Sequence, residues 1–316
     1  MKPYDIMLCG AIVLTILLGS SLIPFFGIFL SLAIPQVFLY YGMKLGLRQG
    51  SYVAGGAVLV VSAITILIDH VHLIVFCVEY AIVGIFLSEC FRREYPFDRI
   101  IFLGTVLICA FSGFFVVSMS VLYNISITDL IKNYIDHQML IASSVYRDFG
   151  VSSVGDVDIN QYIESLKAVL LRIFPGLITV SVIFVVWMNA IIARFLLRFL
   201  KLNVSWGENV RLYLWSAPEW LVWCLIVSGF GIFLGDGWFF NLSLNGIIII
   251  LVAYFFNGIS IILFYFDKYN VSSIVRVIVY TLIAVQQFFI VLIAFAGIFD
   301  QWFDFRKLKR KIDIDG

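Results

Sequence analysis

The chain has 316 residues, 62% of them hydrophobic and only 13% charged, with a formal net charge of +1. A soluble domain of this length keeps about a quarter of its residues charged; here the charges are half that and are gathered between apolar runs, which excludes a soluble globular protein. The near-neutral balance argues against a nucleic-acid partner, and unbroken apolar runs such as 246–256 (GIIIILVAYFF) do not fit the short alternating strands of a β-barrel.

The composition and patterning therefore predict an all-α, polytopic helical membrane protein. Nine hydrophobic segments follow one another, near 6–23, 25–42, 51–68, 71–90, 99–122, 170–200, 217–234, 241–266 and 273–299. The first follows a lone Lys2, lacks a small-x-small cleavage site and runs into the next, so it reads as a retained helix. Pro24 and neighbouring glycines predict a tight turn between the first two segments.

Lys and Arg alternate in the short loops. Lys44 and Arg48 follow the second segment, Arg92, Arg93 and Arg99 the fourth, and Arg194, Arg198, Lys201 and Arg211 the sixth. The intervening turns have none. This pattern predicts a cytoplasmic N-terminus. It places the water-tolerant stretch 123–167 outside, where Ile127, Leu130, Ile131, Tyr134 and Ile135 recur at helical spacing and 159–170 forms a second helix. A hinge is expected at 150–156. The predicted domains are a core of six helices over 1–200, including the excursion at 123–169, then membrane helices over 201–299 and a basic cytoplasmic tail over 300–316. That tail holds Arg306, Lys307, Lys309, Arg310 and Lys311. Nine crossings from a cytoplasmic start would leave it outside. One segment is therefore expected not to cross simply, and 217–234, which opens on Pro218-Glu219 and closes among glycines, is expected to be re-entrant or interfacial.

Ionisable groups at membrane depth are expensive and often functional. Glu79 lies mid-segment, near the midplane, and His72 stands seven residues earlier on the same helical face. Together with the deep amides Asn189, Asn257 and Gln286 they form the candidate substrate-binding set. Asp69, His70 and His72 are competent metal ligands, but a polar cap at the interface explains them better, so no metal and no cofactor is expected. Glu89 beside Arg92 and Arg93 predicts an interfacial ion pair. The five cysteines stand singly in apolar runs and predict helix packing, not disulfides. No GxSxG, HExxH, P-loop or dinucleotide motif occurs, so no enzyme is expected.

The stretches 297–307 (GIFDQWFDFRK), 214–223 (LWSAPEWLVW), and Pro175-Gly176 followed by 189–198 (NAIIARFLLR) resemble the YybS-like family of bacterial membrane proteins. That family is grouped with the substrate-capturing S subunits of energy-coupling-factor transporters. The resemblance implies a six-helix S-component-like core with added C-terminal helices, in the bacterial cytoplasmic (inner) membrane. It also implies an ATPase and a coupling subunit as partners. Ala11, Thr15 and Gly19 loosely match the small residues by which S subunits dock. Two functions follow: a small-solute binding or transport subunit, the preferred expectation, or a membrane scaffold without a transported substrate. Convergence of Glu79, Asn189, Asn257 and Gln286 on one cavity favours the first; their dispersal onto separate helix contacts favours the second.

Overall fold

The computed structural model describes residues 3–22, 26–70, 72–148, 153–154, 157–200 and 212–307. It is a helical protein, with one two-residue antiparallel ladder pairing Ser153–Val154 with Val157–Asp158. The helices are α1 (Pro3–Leu22), α2 (Phe26–Ser31), α3 (Ile34–Leu45), α4 (Leu47–Leu67), α5 (His72–Arg92), α6 (Phe97–Tyr123), α7 (Ile127–Asp148), α8 (Ile159–Phe199), α9 (Trp220–Leu234), α10 (Gly237–Lys268), α11 (Ser273–Val285) and α12 (Gln287–Phe303). A 3-10 turn over Leu212–Leu214 precedes α9.

Among the described residues five helices are long and apolar enough to cross a membrane, or six if α11 and α12, bent by 104°, make one span; Tyr4–Ser20, Phe29–Leu45 and Trp220–Leu234 are shorter apolar helices. The eight crossings and one irregular segment expected from hydropathy are met in part. The shorter pieces have local causes. The second segment breaks between α2 and α3, where Pro35 lies in the first turn of α3 and the Ala33 N–H reaches back to Leu30 O. The last segment breaks at Gln286, whose extended backbone ends α11 and starts α12. α9 is unbroken but only 15 residues long, about 22 Å against a hydrocarbon core of about 30 Å. Pro24, the hinge at 150–156 and the basic residues Lys309, Arg310 and Lys311 fall wholly or largely outside the described residues.

The chain divides into two compact units, Met1–Met119 with Ser181–Val210, and Ser120–Val180 with Arg211–Gly316. α6 and α8 contribute to both, and the excursion goes with the C-terminal helices. In the first unit α3 packs against α4 and α5, and α1 against α4. Two apolar clusters hold it: Cys9, Val13 and Leu17 of α1 meet Phe38, Ala57, Val61 and Cys77, while Val186, Ala190, Ala193 and Leu197 of α8 meet Leu87, Phe91 and Ile100. The α8 residues recur every three or four positions, one face of a helix. α3 comes close because Gly42 and Gly84 lack side chains: a Cβ at Gly84 would run into Pro35 O, and one at Gly42 into Ser88 Oγ. Small residues at such crossings are how membrane helices gain contact area without a hydrophobic drive between them. The row Ala11, Thr15 and Gly19 makes no such contact; Ala11 and Thr15 are exposed and Gly19 faces open space.

In the second unit α10 packs against α12, α9 and the 3-10 turn. Asn124 in the left-handed region ends α6. Ser126 then caps α7, accepting from the Asp129 N–H while its hydroxyl donates to the Asp129 carboxylate. Lys167 of α8 pins α7 through Asp136 at 3.0 Å and holds Glu164 at 2.8 Å. α8 itself runs 41 residues without interruption, about 60 Å, so the expected separate helix at 159–170 is its first part, and Pro175 lies inside it.

Candidate functional site

Three polar contacts organise the described residues, two of them buried and the Asn245 contact partly exposed. The first is in the first unit. Asn189 on α8 is fully buried and back-bonds to Val185 O at 2.9 Å. Its Oδ1 accepts from Gln36 Nε2 of α3 at 2.9 Å, and its backbone oxygen accepts from the same nitrogen at 3.2 Å. Gln36 Oε1 is buried with no hydrogen-bond partner among the described residues. The pair ties α3 to α8 across 153 residues of sequence.

The second contact repairs a helix. Pro175 carries no N–H and its ring crowds the preceding turn, which disrupts the α8 ladder. Asn245 of α10 enters the gap: its Oδ1 accepts from the Gly176 N–H at 2.6 Å and its Nδ2 donates to Arg172 O at 2.8 Å. One side-chain amide thus stands where the Gly176-to-Arg172 rung would be. Glycine at 176 leaves room for the amide, since a Cβ there would lie 2.7 Å from Asn245 Oδ1.

The third contact closes the C-terminal end. α12 stops at Asp304, whose backbone is left-handed (φ 44°, ψ 58°); Asp tolerates this conformation better than most residues. The chain turns back, the Phe305 N–H reaches Asp300 Oδ1 at 3.0 Å, and Arg306 points into the unit. Arg306 Nη2 donates to Asp300 Oδ2 at 2.6 Å and Asn257 Oδ1 at 3.0 Å. Its Nη1 donates to Trp215 O at 2.6 Å and Tyr213 O at 3.2 Å. The two charged side chains are only 1% and 6% exposed, and Arg306 Nε has no partner among the described residues. Asn257 also donates to Gly297 O at 2.8 Å, a reach made possible because α10 and α12 touch backbone to backbone at Gly258 and Gly297. A Cβ at Gly297 would collide with Tyr254 O. Gln301 adds longer contacts to Ala217 O and Pro218 O. Arg306, expected in a solvated basic tail, is instead a buried structural cation.

The five expected site residues fall in different surroundings. Asn189 and Asn257 make the first and third contacts. Glu79 is half-buried on α5, with Ser112 of α6 as its polar neighbour. Gln286 is exposed at the α11–α12 break, where its N–H caps Leu282 O at 2.9 Å. His72 opens α5 and its side chain is outside the described residues. Glu79 and Asn189 belong to the first unit, Asn257 and Gln286 to the second. Among the described residues no group of three His, Cys, Asp or Glu side chains comes together to hold a metal. The sequence reading missed Gln36, Asn245, Asp300 and Arg306. Asn245 had one legible signal, an amide placed early in an apolar run with a proline in another segment.

Residues 11–301 match the family described as "Predicted membrane protein (DUF2232)". The chain belongs to that family. It is also 24% identical over 311 residues to "Uncharacterized protein YybS" of Bacillus subtilis (strain 168), covering 97% of this chain and 99% of the relative. No solved structure matches. As a multi-pass member of the DUF2232 family, the chain carries its resemblance motifs in these contacts. Pro175-Gly176 is the repaired rung, Asn189 the α3–α8 tie, and the stretches 214–223 and 297–307 are the two sides of the Arg306 closure.

Proposed function

We propose that the protein is a membrane scaffold of the bacterial cytoplasmic membrane, a multi-pass helical body that holds a fixed shape and presents its surfaces to other envelope proteins, with no chemical step of its own. The observation that carries this reading is the use of the deep amides. Asn189 and Asn257 each complete a buried contact between helices, and the half-buried Asn245 completes a third, which is the ordinary role of amides in membrane bundles. A solute pathway needs such groups facing a shared cavity. Crosslinking of the protein in native membranes, followed by mass spectrometry, should recover a constant set of protein neighbours; a protein that crosslinks to nothing reproducibly is not a scaffold.

A second reading is a small-solute binding or transport subunit, resembling energy-coupling-factor S components, with a partner ATPase. Two observations favour it. Glu79 is a half-buried carboxylate in mid-helix that takes part in no ion pair among the described residues, and membrane carboxylates of this kind commonly serve ligands or protons. Ala11 and Thr15 of the small-residue row of α1 are exposed, as a docking face for a coupling subunit would be. Purified protein would then carry one stoichiometric metabolite that Glu79→Gln loses.

A further inference from the structure

The first unit has a groove of about 570 Å³ between α4 and α5, with Leu107 of α6 at its edge. Its walls are almost wholly apolar: Ala54, Gly55 and Val58 on α4 face Val78, Ile82 and Ile85 on α5. It is hollow because α4 offers small residues opposite branched ones, and no atom of another helix lies within 4 Å of where a Gly55 Cβ would stand. The lining runs from Val58 to Leu47 on one helix and from Val78 to Glu89 on the other. Each stretch is about 16 Å at the helical rise, half the thickness of a hydrocarbon core and so the depth of one leaflet.

Only one end of the groove is polar. Ser51 and Glu89 line it there. Glu89 Oε1 accepts from Arg93 Nε at 2.6 Å, whereas Arg92 Nη2 stands 3.6 Å from Oε2. Oε2 is buried beside Arg92, at ion-pair distance and without a hydrogen bond of its own among the described residues. The Arg92 guanidinium lies against the backbone of Gly46, at the α3–α4 turn. Lys44 and Arg48 are exposed on the two helices that meet at this turn. With Arg92 and Arg93 they outnumber Glu89 and Glu94 at this end, and Arg99 and Asp98 follow at the start of α6. An excess of Lys and Arg marks the cytoplasmic side and attracts anionic lipid.

We propose that this groove seats one acyl chain of an anionic glycerophospholipid from the cytoplasmic leaflet. The headgroup phosphate meets Lys44 and Arg48, both exposed at this end, with Arg92 beside them. The occupant follows from the site: a leaflet-deep apolar trough admits a chain, and the basic rim selects an anion. Phosphatidylglycerol has both features. The inference holds whichever function the protein serves, since the bilayer itself supplies the ligand.

The test is reconstitution of the full chain in nanodiscs of phosphatidylcholine doped with phosphatidylglycerol, followed by detergent extraction and counting of retained lipids by native mass spectrometry. Phosphatidylglycerol should be retained in preference to phosphatidylcholine. Gly55→Leu, which fills the trough, should lower that retention about tenfold. Gly55→Ala should lower it less, and Arg92→Gln about fivefold. Gly113→Leu, at another open glycine that does not line the groove, should leave it unchanged. Equal retention of the two lipids overturns the proposal. So does unchanged retention in both Gly55→Ala and Arg92→Gln, or a protein partner that crosslinks at position 55 and excludes lipid.

Discussion

Arg306 and Asp300 show what a charge needs in order to stay buried. Desolvation of two ions is offset only by good geometry and full hydrogen bonding, and here both terminal guanidinium nitrogens and both carboxylate oxygens are engaged. Removing one partner strands the other. Arg306→Ala and Asp300→Ala should each lower stability by about 3–5 kcal/mol, read as the shift of the unfolding midpoint in detergent. The double change Asp300→Leu with Arg306→Met should recover most of the loss; equal damage from the double change would mean that the carbonyl contacts to Tyr213 and Trp215, not the ion pair, hold the closure. Asn189→Leu should cost less, about 1 kcal/mol, since it breaks one neutral contact. The depth of Asn189 and Asn257 was legible because an amide stands out in an apolar run. Arg306 was not, because a cation after a helix end and before Lys309, Arg310 and Lys311 has the composition of a topology anchor. What turns it inward is the left-handed backbone at Asp304, for which the sequence carries only the permissive Asp.

At the scale of elements, proline in mid-helix is tolerated where another group satisfies the freed backbone. α8 keeps its 41 residues because Asn245 supplies the missing rung. Asn245→Ala should therefore destabilise the native sequence by about 1–2 kcal/mol, and distinctly less in a Pro175→Ala background, where the Gly176 N–H can regain Arg172 O. A double-mutant cycle measures that coupling; strict additivity would separate the amide from the proline. The amphipathic α7 was legible from the spacing of Ile127, Leu130, Ile131, Tyr134 and Ile135, and its capping by Ser126 and Asp129 follows the S-x-x-D pattern. Its side of the membrane is open to direct test. In a chain with Cys109 and Cys224 replaced by Ala, His137→Cys, exposed on α7, should react with an impermeant maleimide in intact cells. Labelling only after cell rupture would reverse the assigned orientation. The breaks at 32–33 and at Gln286 were hidden because hydropathy sums over a window and does not register a change of direction inside an apolar run.

At the scale of the whole molecule, hydropathy gave the class and the family gave the kinship, while among the described residues five helices, or six with the bent pair, have the length and apolarity of a full crossing and shorter helices make up other apolar segments. The two units are each held by apolar clusters and by amides that join helices distant in sequence. Among the described residues Glu79 is a half-buried mid-helix carboxylate that takes part in no ion pair. The measurement that tests the scaffold reading most directly is purification of the wild-type and Glu79→Gln proteins from native membranes, with mass spectrometry of co-purifying proteins and small molecules. The account predicts the same protein neighbours for both and no stoichiometric solute in either. One metabolite bound at unit stoichiometry to the wild type and absent from Glu79→Gln, together with an ATPase and its coupling subunit, would contradict it.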